Sequence, residues 1–260
     1  MKAIRTLSTL STVLLACCAA GAHAQDQDSI EADRPDFVES TRMVGKGRVQ
    51  LETSLLAERE RTAEGRERLL STPTLLRIGV ADTVELRVET EGRMIHHSRS
   101  TTETGYGDTA LGVSWQAMGA AGGRPSVGVH LAAELDSGSR AFRGEGVRPS
   151  LRVAGEWELP DEVKLGVMPG VGVDRDEGGR YHYGIFGIVA EKAFGEHLRG
   201  LVEVALPRIA RAKHGGTEAS FDVGAAWLLS KDVQVDAMLS RGLNSRSPDV
   251  AFTIGLSIRR

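Results

Sequence analysis

The chain has 260 residues, 32 of them basic and 35 acidic, a formal net charge of −3, 31 glycines, two cysteines and only 5% aromatic residues. The acidic balance argues against a nucleic-acid partner. No apolar run approaches the ~18 residues of a membrane helix, and cysteines at positions 17 and 18 alone leave no disulfide framework or thiol site further along.

Lys2 and Arg5 precede an apolar, small-residue stretch from Leu7 to Gly21 and the small-x-small pattern Ala22-His23-Ala24. This predicts a secretory signal peptide over 1–24. Leu14-Leu15-Ala16-Cys17 loosely resembles a lipobox, which would make Cys17 a lipidated terminus, but Leu15 is not the usual small residue there. Cleavage after Ala24 removes Lys2 and Arg5 and leaves 30 basic against 35 acidic residues, a net charge of about −5. Residues 25–46, polar and acidic with Pro35 and a Gly45-Lys46-Gly47 breaker, read as a periplasmic leader to a domain over 47–260.

From Val49 onward the sequence alternates apolar and polar residues in about twelve segments of roughly 9–13 residues. Val49, Leu51 and Leu55 alternate with Gln50, Glu52 and Ser54. Leu76 and Ile78 flank Arg77. Val84, Leu86 and Val88 alternate with Glu85, Arg87 and Glu89. Leu111, Val113 and Trp115 share a phase opposed by Asp108, Ser114 and Gln116; Val127, Val129 and Leu131 oppose His130 and Glu134. Leu151, Val153 and Trp157 oppose Arg152 and Glu156. Five further segments follow at 163–171, 181–194, 198–210, 221–229 and 233–239, with Asp222 and Asp236 in the polar phase, and the last covers 250–258.

The connections sort into two alternating sets. Those near 59–67, 92–106, 136–146, 174–180, 211–216 and 244–248 are polar; those near 79–83, 159–162, 195–197 and 230–232 are tight, and 118–124 is slightly longer. Outer-membrane barrels have this asymmetry, with short periplasmic turns and longer outer loops. The predicted fold is therefore all-β: a closed antiparallel up-and-down transmembrane barrel of about twelve strands, with both termini periplasmic. Trp115, Trp157 and Trp227 fall at the ends of even-numbered strands before short turns, the expected membrane-interface position. A soluble sandwich would present a Lys-rich polar face. Here that face mixes Glu, Arg, Gln, Asp, Ser and Gly on every strand, which suits a lumen.

Asp33-Arg34-Pro35-Asp36-Phe37-Val38-Glu39-Ser40-Thr41 followed by Gly47-Arg48-Val49-Gln50-Leu51-Glu52 resembles the opening of the outer-membrane "transporter" family linked by name to the meta-pathway of phenol degradation. Leu76-Arg77-Ile78-Gly79, Gly107-Asp108-Thr109-Ala110-Leu111-Gly112, the run 229–236, Arg241-Gly242-Leu243-Asn244 and Pro248-Asp249 extend the resemblance over nearly the whole of 25–260. It implies an outer-membrane barrel and, by association, uptake of aromatic or other small hydrophobic compounds. Such barrels usually end in an aromatic residue, whereas this sequence closes with Ile258-Arg259-Arg260.

The candidate pore lining is Gln50, Glu52, Arg77, Glu85, Arg87, Glu89, Asp108, Gln116, His130, Glu134, Arg152, Glu156, Asp222 and Asp236. These charges can select permeants or form cross-strand ion pairs that fill the lumen and fix register. Asp33, Arg34, Pro35 and Asp36, the family motif, can plug the barrel, meet a periplasmic partner or anchor the first strand. His96-His97 point to opposite faces of a strand and make a poor chelate. Asp174, Asp176 and Gly178 lack the downstream bidentate acid of a calcium loop. No metal, cofactor or catalytic residue is expected. The expected partners are outer-membrane lipid and lipopolysaccharide, the barrel-assembly machinery and a small-molecule permeant. Two alternatives to a passive channel are a structural or partner-binding barrel without transport and a barrel lipid hydrolase, the latter opposed by the lack of a His-x-Ser-Asn cluster.

Overall fold

A computed structural model describes residues 29–63 and 65–260. The expected signal peptide, Cys17 and the first residues of the leader lie outside the described residues. Fifteen β segments run in chain order: β1 (Val49–Thr62), β2 (Gly65–Ser71), β3 (Thr74–Ala81), β4 (Val84–Thr90), β5 (Arg93–His97), β6 (Thr102–Tyr106), β7 (Thr109–Met118), β8 (Ser126–Leu135), β9 (Arg148–Leu159), β10 (Val163–Asp176), β11 (Gly179–Phe194), β12 (Leu198–Ile209), β13 (Glu218–Ser230), β14 (Val233–Gly242) and β15 (Val250–Arg259). All neighbours are antiparallel, and β15 pairs back onto β1 from Gln50↔Arg259 to Arg59↔Val250, which closes the sheet.

Three pairs of segments are halves of one strand. β2 and β3 are separated by Thr72-Pro73, β4 and β5 by Glu91-Gly92, β6 and β7 by Gly107-Asp108. The interruptions lie side by side: the Thr72 N–H faces the Glu91 carbonyl at 3.2 Å, and the Gly107 N–H donates to the Gly92 carbonyl at 2.9 Å. Pro73 has no N–H to give a ladder. Counted this way, the wall is a closed barrel of twelve antiparallel strands.

The barrel is inside out relative to a water-soluble protein. Leu55, Leu111, Leu131 and Ile254 are more than half exposed on the outer wall, whereas Arg77, Gln50, Glu52, Glu85 and Glu203 are among the largest fully buried side chains. An outer wall of this kind demands an apolar solvent, and a closed sheet satisfies every strand within it.

Several stretches read as polar loops are strand instead. β1 runs through Arg59 and Arg61 to Thr62 and turns directly into β2; β5 and β6 form a hairpin containing His96 and His97; β10 and β11 meet across Glu177-Gly178. Arg and Glu keep the two-residue alternation going after the apolar residues end, so the strands continue past the apolar band. The irregular connections at this rim are 136–147, 210–217 and 243–249. The opposite rim has the short turns at 82–83, 119–125, 160–162, 195–197 and 231–232.

Candidate functional site

Residues 29–46 run inside the barrel, in the half nearest the short turns. Ile30, Ala32, Asp33, Val38, Thr41, Met43 and Val44 are buried there. Nearly every strand contributes a contact. Ile30 N–H donates to the Lys231 carbonyl at 2.6 Å, and Arg259 Nη1 donates to the Ser29 carbonyl at 3.0 Å. Thr41 Oγ1 meets Ser126 Oγ at 2.6 Å. Val38 packs with Ala154, Met168, Val189 and Leu201 in a small apolar cluster. Gly187 makes room for it, since a Cβ there would sit 2.8 Å from Val38 Cγ2.

Arg77 is the hub of one side. Its Nε donates to Glu85 Oε1 at 2.8 Å, Nη1 faces Asp33 Oδ1 and Glu52 Oε1 at 3.2 Å each, and Nη2 donates to the Arg42 carbonyl at 2.7 Å. The carboxylates face the threaded segment with their other oxygens: Glu52 Oε2 accepts the Asp33 N–H at 3.0 Å, and Glu85 Oε2 accepts the Val44 N–H at 3.0 Å. Arg87 pairs with Asp33 and, at 3.1 Å, with Glu39 Oε2. Glu39 also meets Arg152, and His130 Nδ1 at 2.8 Å. Burial opposes its ionisation, but Arg152, His130 and Arg87 together hold the Glu39 carboxyl well below the usual range.

The other side is arranged around Glu203 on β12. Its two carboxylate oxygens accept the Phe37 and Val38 N–H groups at 2.8 and 2.9 Å. Arg34 reaches Thr253 Oγ1 at 2.9 Å and Asp236 Oδ1 at 3.4 Å; Arg199 faces Glu191 at 3.4 Å; Lys164 faces Glu31 at 3.1 Å and Glu156 at 3.6 Å. Asp36 lies near these groups, and among the described residues its Oδ1 has no hydrogen-bond partner. Burial, and then the nearby Glu191, push its carboxyl well up, against the pull of Arg199.

The polar phase of the strands thus faces inward. Gln50, Glu52, Arg77, Glu85, Arg87, His130, Asp222 and Asp236 are buried within the barrel, and Gln116 is half-buried towards the short-turn rim. On the long-loop side of residues 29–46 a cavity of about 150 Å³ is lined by Glu89, Glu134, Arg148, Arg152 and Tyr183. Asp108 holds a loop rather than the threaded segment. It accepts the Gly138 and Gly144 N–H groups at 2.7 Å each and pairs with Arg148 at 2.5 Å, clamping residues 136–147. The motif Asp33-Arg34-Pro35-Asp36 lies at the centre of the lumen, with Pro35 Cγ 3.2 Å from where a Gly224 Cβ would stand. Glu31, Glu39, Lys164, Glu191, Arg199 and Glu203 belong to the same network and were not among the residues picked from the sequence. Glu203 was accessible by phase, because it alternates with the outward Val202 and Val204. Trp115, Trp157 and Trp227 lie at the short-turn ends of β7, β9 and β13, with Trp227 half exposed.

Among the described residues, a Ser–His contact lies in the lumen: Ser114 Oγ is 2.8 Å from His130 Nδ1. Glu39 and Arg87 crowd the same nitrogen, and among the described residues Nε2 has no hydrogen-bond partner. A hydrolytic relay needs the nucleophile and the acid on different ring nitrogens, so this is a packed polar cluster. Among the described residues no group of three or more His, Cys, Asp or Glu is placed to hold a metal.

Fold and lumen define the class: a closed twelve-stranded barrel of outer-membrane type, with a polar interior crossed by its own N-terminal segment. The chain belongs to the family described as the putative MetA-pathway of phenol degradation, whose model matches residues 32–259. No curated protein sequence matches it. Among solved structures it is similar to an outer-membrane channel from Pseudomonas putida F1, with a TM-score of 0.62 and 13% identity over 88% of this chain and 99% of that one. It is also similar to the β domain of the Bordetella autotransporter BrkA, with a TM-score of 0.55 and 12% identity over 81% and 98% of the two chains. A third similar structure is the NanC porin, with a TM-score of 0.51 and 11% identity over 81% and 98%.

Proposed function

We propose that this protein is a narrow outer-membrane channel for passive uptake of small solutes, restricted by residues 29–46. The carrying observation is the division of the lumen: a charged cavity on the long-loop side, and on the short-turn side a segment held by side chains from around the wall. In this reading the long loops face outward, both termini are periplasmic, lipid and lipopolysaccharide cover the apolar wall, and the barrel-assembly machinery inserts it. The lumen residues from Gln50 to Asp236 then act as pore lining and the three tryptophans as interface anchors. Because the lumen is polar and charged, permeants able to hydrogen-bond fit it best. The family's name makes phenols and aromatic acids the first compounds to test.

Purified protein in planar lipid bilayers should give a small conductance that rises when residues 29–46 are deleted. Arg87→Ala and Glu85→Ala should shift the reversal potential under a salt gradient. A folded barrel with no conductance and no solute flux in liposomes would overturn the channel reading. That result would favour a structural barrel without transport, a reading supported by the dense bonding of the threaded segment.

A further inference from the structure

The outer wall carries a second polar feature at the long-loop rim. Arg59 faces Arg68 across β1 and β2, and Arg61 faces Arg66 one same-side step further. Like charges directly opposite on a sheet repel. Arg241 projects on the same outer face, with Val250 between it and Arg59. Together they line a groove of about 540 Å³. Among the described residues Arg59, Arg66 and Arg68 have no ion-pair partner; of the acids bordering the groove, Glu60, Glu67 and Asp249, it is Asp249 that pairs with an arginine of this face, 3.8 Å from Arg61 Nε. The acids of the same hairpin, Glu58, Glu60 and Glu67, alternate onto the opposite, inner face.

The patch also has a fixed height. Two residues along each strand from an arginine of this face, or from the Val250 beside it, stands an outward apolar residue: Ala57 below Arg59, Leu70 below Arg68, Leu239 below Arg241 and Phe252 below Val250. Leu70, Phe252 and Leu239 are all exposed. The arginines therefore begin where the apolar band ends, at the level of headgroup phosphates. Guanidinium forks suit phosphate oxygens, and acyl chains of the same molecule would lie on the residues below.

We infer that the outer face of β1, β2 and β14 is a docking site for a phosphorylated, multiply acylated glycolipid of the outer leaflet, whose phosphates sit among Arg59, Arg61, Arg66, Arg68 and Arg241. The inference rests on the orientation proposed above, with the long loops outward.

The test uses refolded full-length protein in a non-ionic detergent, titrated with diphosphoryl lipid A and followed by native mass spectrometry. Lipid A should stay bound, more weakly at high salt. The R59Q/R61Q/R66Q/R68Q variant, checked as folded by its heat-modifiable gel mobility, should bind at least about tenfold more weakly. The matching four-lysine variant should retain much of the binding. Unchanged affinity in the four-glutamine variant, or equal retention of a dephosphorylated lipid A, would overturn the site. So would equal competition by free inorganic phosphate, which would make it an anion site only. Binding in detergent does not depend on conductance, so a silent bilayer would count against the channel reading and leave this one standing.

Discussion

Gly79 of β3 lies so close to Gly45 of the threaded segment that a Cβ on Gly79 would sit 1.8 Å from the Gly45 carbonyl oxygen. Hydrogen bonds lock the contact, from Gly47 N–H to the Gly79 carbonyl at 2.8 Å and from Gly79 N–H to the Arg48 carbonyl at 2.9 Å. Backbone cannot yield as a side chain does. Gly79→Ala should therefore displace residues 42–48 while the outer wall stays closed. Trypsin should cleave after Arg42, Lys46 or Arg48 in a barrel that keeps its heat-modifiable mobility, and wild type should resist.

Glu203 supplies the acceptor for two successive backbone N–H groups. Hydrogen bonds to a charged group are worth about 1.5–3 kcal/mol each. In Glu203→Ala the Phe37 and Val38 amides should exchange with deuterium about tenfold to a hundredfold faster. Glu203→Gln, which keeps one acceptor oxygen, should show a smaller gain. Equal exchange in all three proteins would remove Glu203 from the seating of the segment.

Arg77 compensates three carboxylates that have almost no access to water. Removing one side of a buried ion pair commonly costs about 3–5 kcal/mol. Arg77→Met should lower the unfolding free energy of the detergent-solubilised barrel, read from urea titration, by that order. Adding Glu85→Gln should recover part of the loss, since one stranded charge goes with it.

Acid should loosen the segment late. The Glu39 carboxyl is depressed in the folded state, so its stabilising contribution is complete above the unfolded carboxylate value of about 4.3 and is lost as pH falls through the lower folded value. Asp36 acts with the opposite sign: its carboxyl is raised, so acidification relieves it. Conductance should hold steady down to about pH 4 and rise below it, and Glu39→Gln should show the higher conductance already at neutral pH.

Trp115 and Trp227 project outward at the short-turn rim. In lipid vesicles their fluorescence should be quenched more by bromines near the headgroups than by bromines deep in the acyl chains. Stronger quenching from the bilayer centre would place the apolar band elsewhere on the wall.

The wall was legible in the sequence because a two-residue period with one apolar phase admits few other folds. The inward face followed from the same phase, down to Glu52, Arg77 and Glu85. Two things escaped it. The strand extensions around Arg59–Arg68 carry charge on both faces, so period alone, without hydrophobicity, had to mark them. Whether residues 29–46 plug the barrel, meet a partner or anchor the first strand stayed open for a different reason: a polar, acidic stretch looks the same whether water or a ring of arginines satisfies it. The glycines facing that segment, Gly79 and Gly187 among them, were the trace it left in the wall, and they read equally well as turn and bend residues.

The bonds that hold residues 29–46 come from both the first and the last strands, through Gln50 and Glu52 on β1 and Arg259 on β15, with the Lys231 carbonyl of the neighbouring turn beside it. No partly built sheet offers that full set. The segment can reach its final register only when the ring is complete, so its seating works as a seal on assembly: a barrel with its N-terminal segment in place is one whose first and last strands have already met.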